Sequence, residues 1–314
     1  MKSFRLALFI GLFVLLAPAA LRAQSQEAVA VITELKLNRG DIQIRLAGNK
    51  APQRPAVLQS LYPGNVVQAT KDAVAVVLFT EGMKTVSVDE KNSPFEIKAP
   101  QGKDSQTSSR VKDVASLLLG KKKPPSYVAL AVRGKTQPPT LLSPRNTKLM
   151  TDAPTFQWMG MDRQPGTVKV YGPEGLVWSA ENIALTQLAY PVSAPRLKPG
   201  VEYSWIIEKK GFQPQKAPFK LMPATEAQAV QEKIAPLSPA AGLSKTTLMV
   251  LKANVLMAHE LFYEAREVLI EGATADPDEP TLHFLLGELY EKIGLKNLAA
   301  DEYGEAEFLA KTKP

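Results

Sequence analysis

The chain has 314 residues, no cysteine, a formal net charge of +7 and 45% hydrophobic residues. The missing cysteine excludes disulfide staples, thiolate metal sites and a lipid-modified N-terminal cysteine, so each domain must be held by core packing. The charge is uneven: residues 24–138 hold 17 Lys+Arg against 10 Asp+Glu, residues 139–223 hold 10 against 6, and residues 224–314 hold 8 against 15.

In chain order, the first 23 residues read as a sorting label. Lys2 and Arg5 precede an apolar run from Leu6 to about Leu21, and Ala23 is a small residue at the cut, the pattern of a secretory signal peptide. Cleavage after Ala23 leaves Gln24 first in the mature chain. The alternative, an uncleaved anchor, meets a run shorter than the roughly 20 residues that span a bilayer. Export to the bacterial cell envelope follows, periplasmic or secreted.

From Val29 the pattern is β. Val31, Thr33, Leu35 and Leu37 alternate with other positions, and Asn38-Arg39-Gly40-Asp41 turns the chain into Ile42, Ile44 and Leu46. Tyr62-Pro63-Gly64-Asn65 and Thr80-Glu81-Gly82 are further turns around the strand-like run Val74, Val76, Leu78. Gly40, Leu61, Pro63-Gly64, Val66, Ala75, Val77 and Phe79-Thr80-Glu81-Gly82 together resemble a FecR-type periplasmic domain over roughly residues 29–100. The namesake regulators carry a membrane helix and a cytoplasmic segment ahead of this domain. Here the signal peptide leads straight into it, so a transmembrane regulator of sigma factors is not expected.

Residues 101–139 read as a linker. Its VKDVASLLLG stretch predicts a short helix ending at Gly120, and Tyr127 to Val132 predicts a strand that completes one or other neighbouring β unit. Residues 140–223 carry Trp158, Trp178 and Trp205 among short alternating runs. Turns fall at Asp162–Gly166, Gly172–Gly175 and Lys198–Gly200, a pattern that resembles an Ig-like or fibronectin-type β-sandwich without its disulfide. Trp158 and Trp205 are expected in the core, whereas Trp178 follows a glycine turn and is a possible glycan contact.

The remaining residues, 224–314, are helical in pattern, with a lead-in helix over Thr225–Ile234 capped by Thr225. Ala265, Leu269 and Gly272 recur as Ala299, Tyr303 and Ala306, each 34 residues later. With Leu286, Gly287, Tyr290 and Gly294, they resemble the tetratricopeptide (TPR) signature, a 34-residue helical hairpin. The fold class is therefore multidomain, two small all-β domains followed by an all-α unit of two TPR-like hairpins. The resemblance implies a concave groove lined by Thr247, Val250, Asn254, Met257 and Ala258 from one hairpin and Thr281, Phe284, Glu288, Glu291 and Lys292 from the other. That groove suits a peptide or helix with basic flanks. Alternatively the lead-in helix or the sandwich covers part of it, because two repeats are too few for a free-standing solenoid.

Chemistry is sparse. The histidines, His259 and His283, stand 24 residues apart with no metal-binding spacing, and no nucleophile elbow, phosphate loop or calcium loop is present. Glu260, Glu264, Glu267 and Glu271 read as a solvated helix face. No catalytic residue, metal or cofactor is expected. The lysines are scattered apart from Lys121–Lys123, so nucleic acid is not an expected partner. The reading is a non-enzymatic exported adaptor that engages a protein partner, or a second copy, through its helices. The alternative is an envelope or cell-wall glycan-binding protein.

Overall fold

The computed structural model describes residues 27–49, 51–99, 109–121, 138–161, 164–238 and 242–311. The expected signal peptide and the expected strand Tyr127–Val132 lie outside these residues. Two β units precede a run of helices.

The first β unit holds β1 (Ala30–Lys36), β2 (Ile42–Arg45), β3 (Ser60–Leu61), β4 (Val66–Ala69), β5 (Val74–Phe79), β6 (Thr85–Val88) and β7 (Phe95–Glu96). They form two antiparallel sheets, ordered β3-β1-β5-β6 and β2-β4-β7. Ala30, Ile32 and Leu35 of β1 pack with Ile42, Ile44, Val67, Ala75, Val77 and Ile97 in one core. The simple alternation Val31-Thr33-Leu35 does not hold. A bulge between Ile32 and Glu34 changes the phase of the strand, so Leu35 joins Ala30 and Ile32 while Val31 enters a different cluster. Glycine is obligatory at position 40, where a Cβ would lie 1.9 Å from the carbonyl oxygen of Thr70.

A short helix, α1 (Ser109–Ser116), follows, with Gly120 in the left-handed region at φ 70°. The second β unit comprises β8 (Thr140–Ser143), β9 (Thr147–Leu149), β10 (Thr155–Met159), β11 (Gly166–Gly172), β12 (Gly175–Ile183), β13 (Gln187–Ala189), β14 (Glu202–Glu208) and β15 (Ala217–Leu221). Its sheets run β13-β10-β8 and β12-β11-β14-β15-β9, and all pairs are antiparallel except β15 with β9. Phe156, Trp158, Val168, Val170, Trp205, Ile207 and Phe219 fill the space between them. The Trp205 indole donates to the Pro144 carbonyl at 2.6 Å, satisfying the one polar atom of an otherwise apolar payload.

Helices occupy the rest: α2 (Ala224–Ile234), α3 (Lys245–Ala258), α4 (Phe262–Ala275), α5 (Pro280–Lys292) and α6 (Lys296–Leu309). The residue that precedes α2 is Pro223, without a side-chain cap, and Thr225 sits inside the first turn. The preference of threonine for caps is overridden because the chain leaves β15 only a few residues earlier. Ser244 caps α3 by accepting from the Thr247 amide, and Glu279 caps α5 by accepting from the Thr281 amide, with Pro280 at the first helical position. The residues that repeat at 34 stand on the buried faces: Ala265, Gly272, Ala299, Tyr303 and Ala306 pack between helices with Gly287 and Tyr290.

Gly287 shows why a small residue is required. A Cβ there would stand 2.7 Å from the Tyr303 ring, which is itself held edge-to-face on Phe284 at 5.6 Å. Gly287→Ala gains up to about 1 kcal/mol of helix propensity but forces a ring out of a packed site, at about 1–3 kcal/mol. We expect net destabilisation, read as a lower urea midpoint by far-UV circular dichroism with an unchanged slope.

Candidate interaction surface

The helical unit is gripped on two sides. On one side, the outward face of the first β unit offers Val31, Leu58, Leu78 and Met83, and α1 with the turn after it offers Val114, Ala115 and Leu118. These seven side chains belong to the same buried cluster as Val250, Leu251, Leu282 and Leu285 of α3 and α5. Burying each valine, leucine or methionine contributes about 1.5–3 kcal/mol relative to exposure.

Polar contacts fix the register of that seam. The Thr33 and Thr247 hydroxyls lie 3.0 Å apart, and the Thr247 hydroxyl donates to Glu34 at 2.6 Å; the Ser244 hydroxyl donates to the same carboxylate oxygen. The Leu35 amide donates to both carboxylate oxygens of Glu279 at 3.2 Å. Lys36 pairs with Asp276 at 2.7 Å. Burial, the largest single influence, lowers the Lys36 pKa, but the bond and charge of Asp276 with the charges of Glu34 and Glu279 together outweigh it, and the net shift is upward. Further along, Lys121 pairs with Glu288 at 2.6 Å, with both side chains largely covered.

On the other side, β9 and its flanks meet α4. The Lys148 amide donates to the Glu260 carbonyl at 2.9 Å, the Met150 amide to Glu264 at 2.6 Å, and the Thr155 amide to the Tyr263 hydroxyl at 3.1 Å. Arg266 reaches from α4 to Gln157 of β10 at 2.6 Å while lying over the Tyr290 ring at 5.9 Å. Arg145 and Asn146 both donate to the Ile293 carbonyl, closing the end of α5.

The expected groove residues separate into two groups. Asn254, Met257 and Phe284 are buried, as are Thr247, Val250 and Thr281. Asn254 donates to the Val250 carbonyl of its own helix. Glu288 is engaged by Lys121, whereas Glu291, which accepts from Tyr303 at 3.0 Å, and Lys292 are exposed, as is Ala258. The expected groove is thus partly covered, as the alternative expectation held, but the first β unit and α1 supply the cover on this face where the lead-in helix or the sandwich was expected. Sequence reasoning missed Glu34, Glu279 and Arg266. The available signal was a charged residue inside the apolar run AVITELK, which a one-faced strand would not carry at an inward position.

Trp178 is half-buried, stacked with Phe156 at 6.3 Å and edge-on to Tyr190 at 5.3 Å. Two grooves among the described residues are notable. One, of about 390 Å³, lies between α1, α2 and α3 over Val114, Leu117 and Val255. There Lys233 meets His259 at 3.1 Å; burial first, then Lys233 and Lys148, lowers the His259 pKa. The other, of about 600 Å³, crosses β11, β14, β15 and β9 beside Tyr171, Lys148, Lys220 and Glu202. His283 is held between Glu302 at 2.8 Å and the Pro277 carbonyl at 3.0 Å. Two acceptors require both ring nitrogens to donate, so the imidazolium is favoured, and the bond to Glu302 leads the upward shift of its pKa. Among the described residues, no three His, Asp or Glu side chains converge as a metal site, and no helix is long and apolar enough to cross a membrane.

No family model matches the chain, and no curated protein does. Among solved structures, the chain is similar to Salmonella alpha-2-macroglobulin reacted with methylamine, at 14% identity over 63% of this chain and 12% of that one. The TM-score is 0.21, too low to carry an argument about fold or function.

Burial raises the Glu264 pKa, and the Met150 amide opposes that rise. Glu264→Ala removes the acceptor for the Met150 amide and should destabilise the chain by about 1–3 kcal/mol, whereas Glu264→Gln keeps an acceptor and should lose less. Equal urea midpoints for the two variants would show that this bond does not hold the helices to β9.

Proposed function

We propose that the chain is a non-enzymatic exported adaptor or scaffold, periplasmic or secreted, whose helices engage a protein partner or a second copy. In this reading the first β unit is FecR-like, the second an Ig- or fibronectin-like sandwich, and α3–α6 a pair of TPR-like hairpins. The observation that carries it is the use of the helical surface. Its α3 and α5 face takes a β sheet by apolar burial and side-chain bonding, the chemistry of a protein–protein contact. A partner would enter at the exposed end of that face, where Glu291 and Lys292 stand beside the Lys121–Glu288 pair.

The full chain, used as bait in envelope extract, should lose at least about tenfold of its captured partner when Glu291→Lys and Lys292→Glu are combined, a change of roughly 1.4 kcal/mol or more. The paired swap Lys121→Glu with Glu288→Lys, which keeps an ion pair at the seam, should capture normally. Undiminished capture by the first variant would remove this end of the helices from the partner site.

A second reading, binding of an envelope polysaccharide, is favoured by the groove across β11, β14, β15 and β9, where the Tyr171 ring stands among Lys148, Lys220 and Glu202. Such a mixture offers one planar surface and several hydrogen-bonding groups to a sugar ring. Retention of the full chain on insoluble cell-wall polysaccharide, lost in Tyr171→Ala but kept in Trp178→Phe, is the outcome expected there. No retention at low salt would end that reading.

A further inference from the structure

Two carboxylates meet in the seam between β1 and the helices, and water reaches neither well: Glu34 is 3% exposed and Glu279 is fully buried. Glu34 accepts from Ser244 and Thr247 at the start of α3. Glu279 accepts from the Leu35 amide of β1 with both oxygens and from the Thr281 amide of its own helix at 3.1 Å. Lys36, the cation on the same strand, is engaged with Asp276 at 2.7 Å. The donors aimed at Glu279 are thus two backbone amides, while a second acid lies nearby. This is an expensive place for an ion, because hydrogen bonds replace only part of the lost hydration.

We infer that the seam between β1 and α5 is a proton-controlled latch, closed while Glu279 holds its proton and loosened when that carboxyl ionises beside Glu34. Three elements meet at this one group. β1 supplies the Leu35 amide, Glu34 and Lys36; the start of α3 supplies Ser244 and Thr247; the turn from α4 to α5 supplies Asp276 and Glu279 itself. Ionisation acts on the contact that joins the first β unit to the helices, so its effect is mechanical as well as local.

The direction follows from linkage. Burial, the largest influence, raises the Glu279 pKa from 4.5 to about 7; bonds from Thr281 and Leu35 oppose this, and the charge of Glu34 reinforces it. A carboxyl that binds its proton more tightly in the closed seam than in water favours closure when protons are abundant. Opening is rarest below the ordinary value of 4.5, grows with pH up to about 7, and levels off above that. The other charged groups facing this region are Glu34, Lys36, Asp276 and, on α5, His283. The His283 bridge to Glu302 and Pro277 also weakens as pH rises, so its contribution must be separated from that of Glu279. Loosening would bare the α3 and α5 face to a partner. That consequence rests on the proposed function, whereas the latch rests on the seam alone.

Amide hydrogen exchange on the full chain tests it, corrected for the intrinsic pH dependence and compared between native protein and Glu279→Gln. From about pH 5 to about pH 7.5, protection of the Ala30–Lys36 amides, Leu35 above all, should fall by about tenfold or more in the native chain. In Glu279→Gln it should stay nearly level, and any small residual slope should disappear on adding His283→Gln. An unchanged native profile, or the same fall in both proteins, would overturn the latch. If Glu279→Gln does not fold, the carboxyl ¹³C shift of Glu279 in the native chain decides. A midpoint near 7 supports the latch, and one in the ordinary carboxylate range near 4.5 overturns it. Partner capture is measured separately, so a missing partner leaves the exchange result standing.

Discussion

The architecture turns on one unmet need, the covering of the apolar face of α3 and α5. A pair of helical hairpins buries residues between its helices, yet one apolar face of α3 and α5 is left for another element to cover. Here that face carries Val250, Leu251, Leu282 and Leu285, and the β3-β1-β5-β6 sheet supplies the missing layer. The consequence is visible in the strands themselves. β5 reads Val-Ala-Val-Val-Leu-Phe with its four central residues buried, because Ala75 and Val77 face their own domain core while Leu78 faces the helices. A sheet with solvent on one side would alternate; this one cannot.

The bulge in β1 belongs to the same requirement. It shifts the strand by one position between Ile32 and Glu34. Leu35 then stays in the first core and its amide is left to find a partner outside the sheet, which it finds in Glu279. Buried amides of this kind are seldom left unpaired. A carboxylate is a strong acceptor for one, but it brings a charge into a seam that already contains Glu34. Burial pushes the Glu279 pKa up to about 7 and so works against its ionised form. Apolar burial across the seam is large enough to hold the domains together despite that opposition, so this carboxylate modulates the closure that burial drives.

Much of this was legible before the structure, and the gaps share a cause. The helices were legible because the repeat is local: Gly287 leaves room for Tyr303 of the next helix, and Gly272 for Met249 and Leu282 of the helices on either side. Trp158 and Trp205 were legible as core because alternation places them on inward faces, and both are almost fully buried. Trp178 was misleading, since the glycine turn before it suggested exposure while Phe156 and Tyr190 supply a stacking site from distant strands. That the groove could be covered was legible, but which element covers it was beyond reach. Its cover comes from distant segments, 214 positions away for Thr33 to Thr247 and 167 for Lys121 to Glu288, and no pattern within a window encodes such a pairing. The one warning was Glu34, an acid in a run of apolar residues. Its meaning depends on Ser244 and Thr247, which the sequence places in another domain.

The division of charge along the chain acquires a structural sense from the same contacts. Basic groups from the chain before the helical unit meet acidic groups on its helices and turns at Lys36–Asp276, Lys121–Glu288 and Lys148–Glu260. Their exposure differs, and so does their weight. Glu260 is 63% exposed in its pair, so water and salt screen that contact and its energy is small. Lys121 and Glu288, at 17% and 21%, are screened far less and sit at the edge of the apolar seam. The pairs therefore orient the domains more than they bind them, each rewarding one docking geometry and penalising a slipped one. What orientation leaves undecided is how firmly the sheet is seated. That depends on whether the ungraded apolar contact is joined by a neutral or an ionised Glu279, the one carboxyl in the seam that amides reach from both domains.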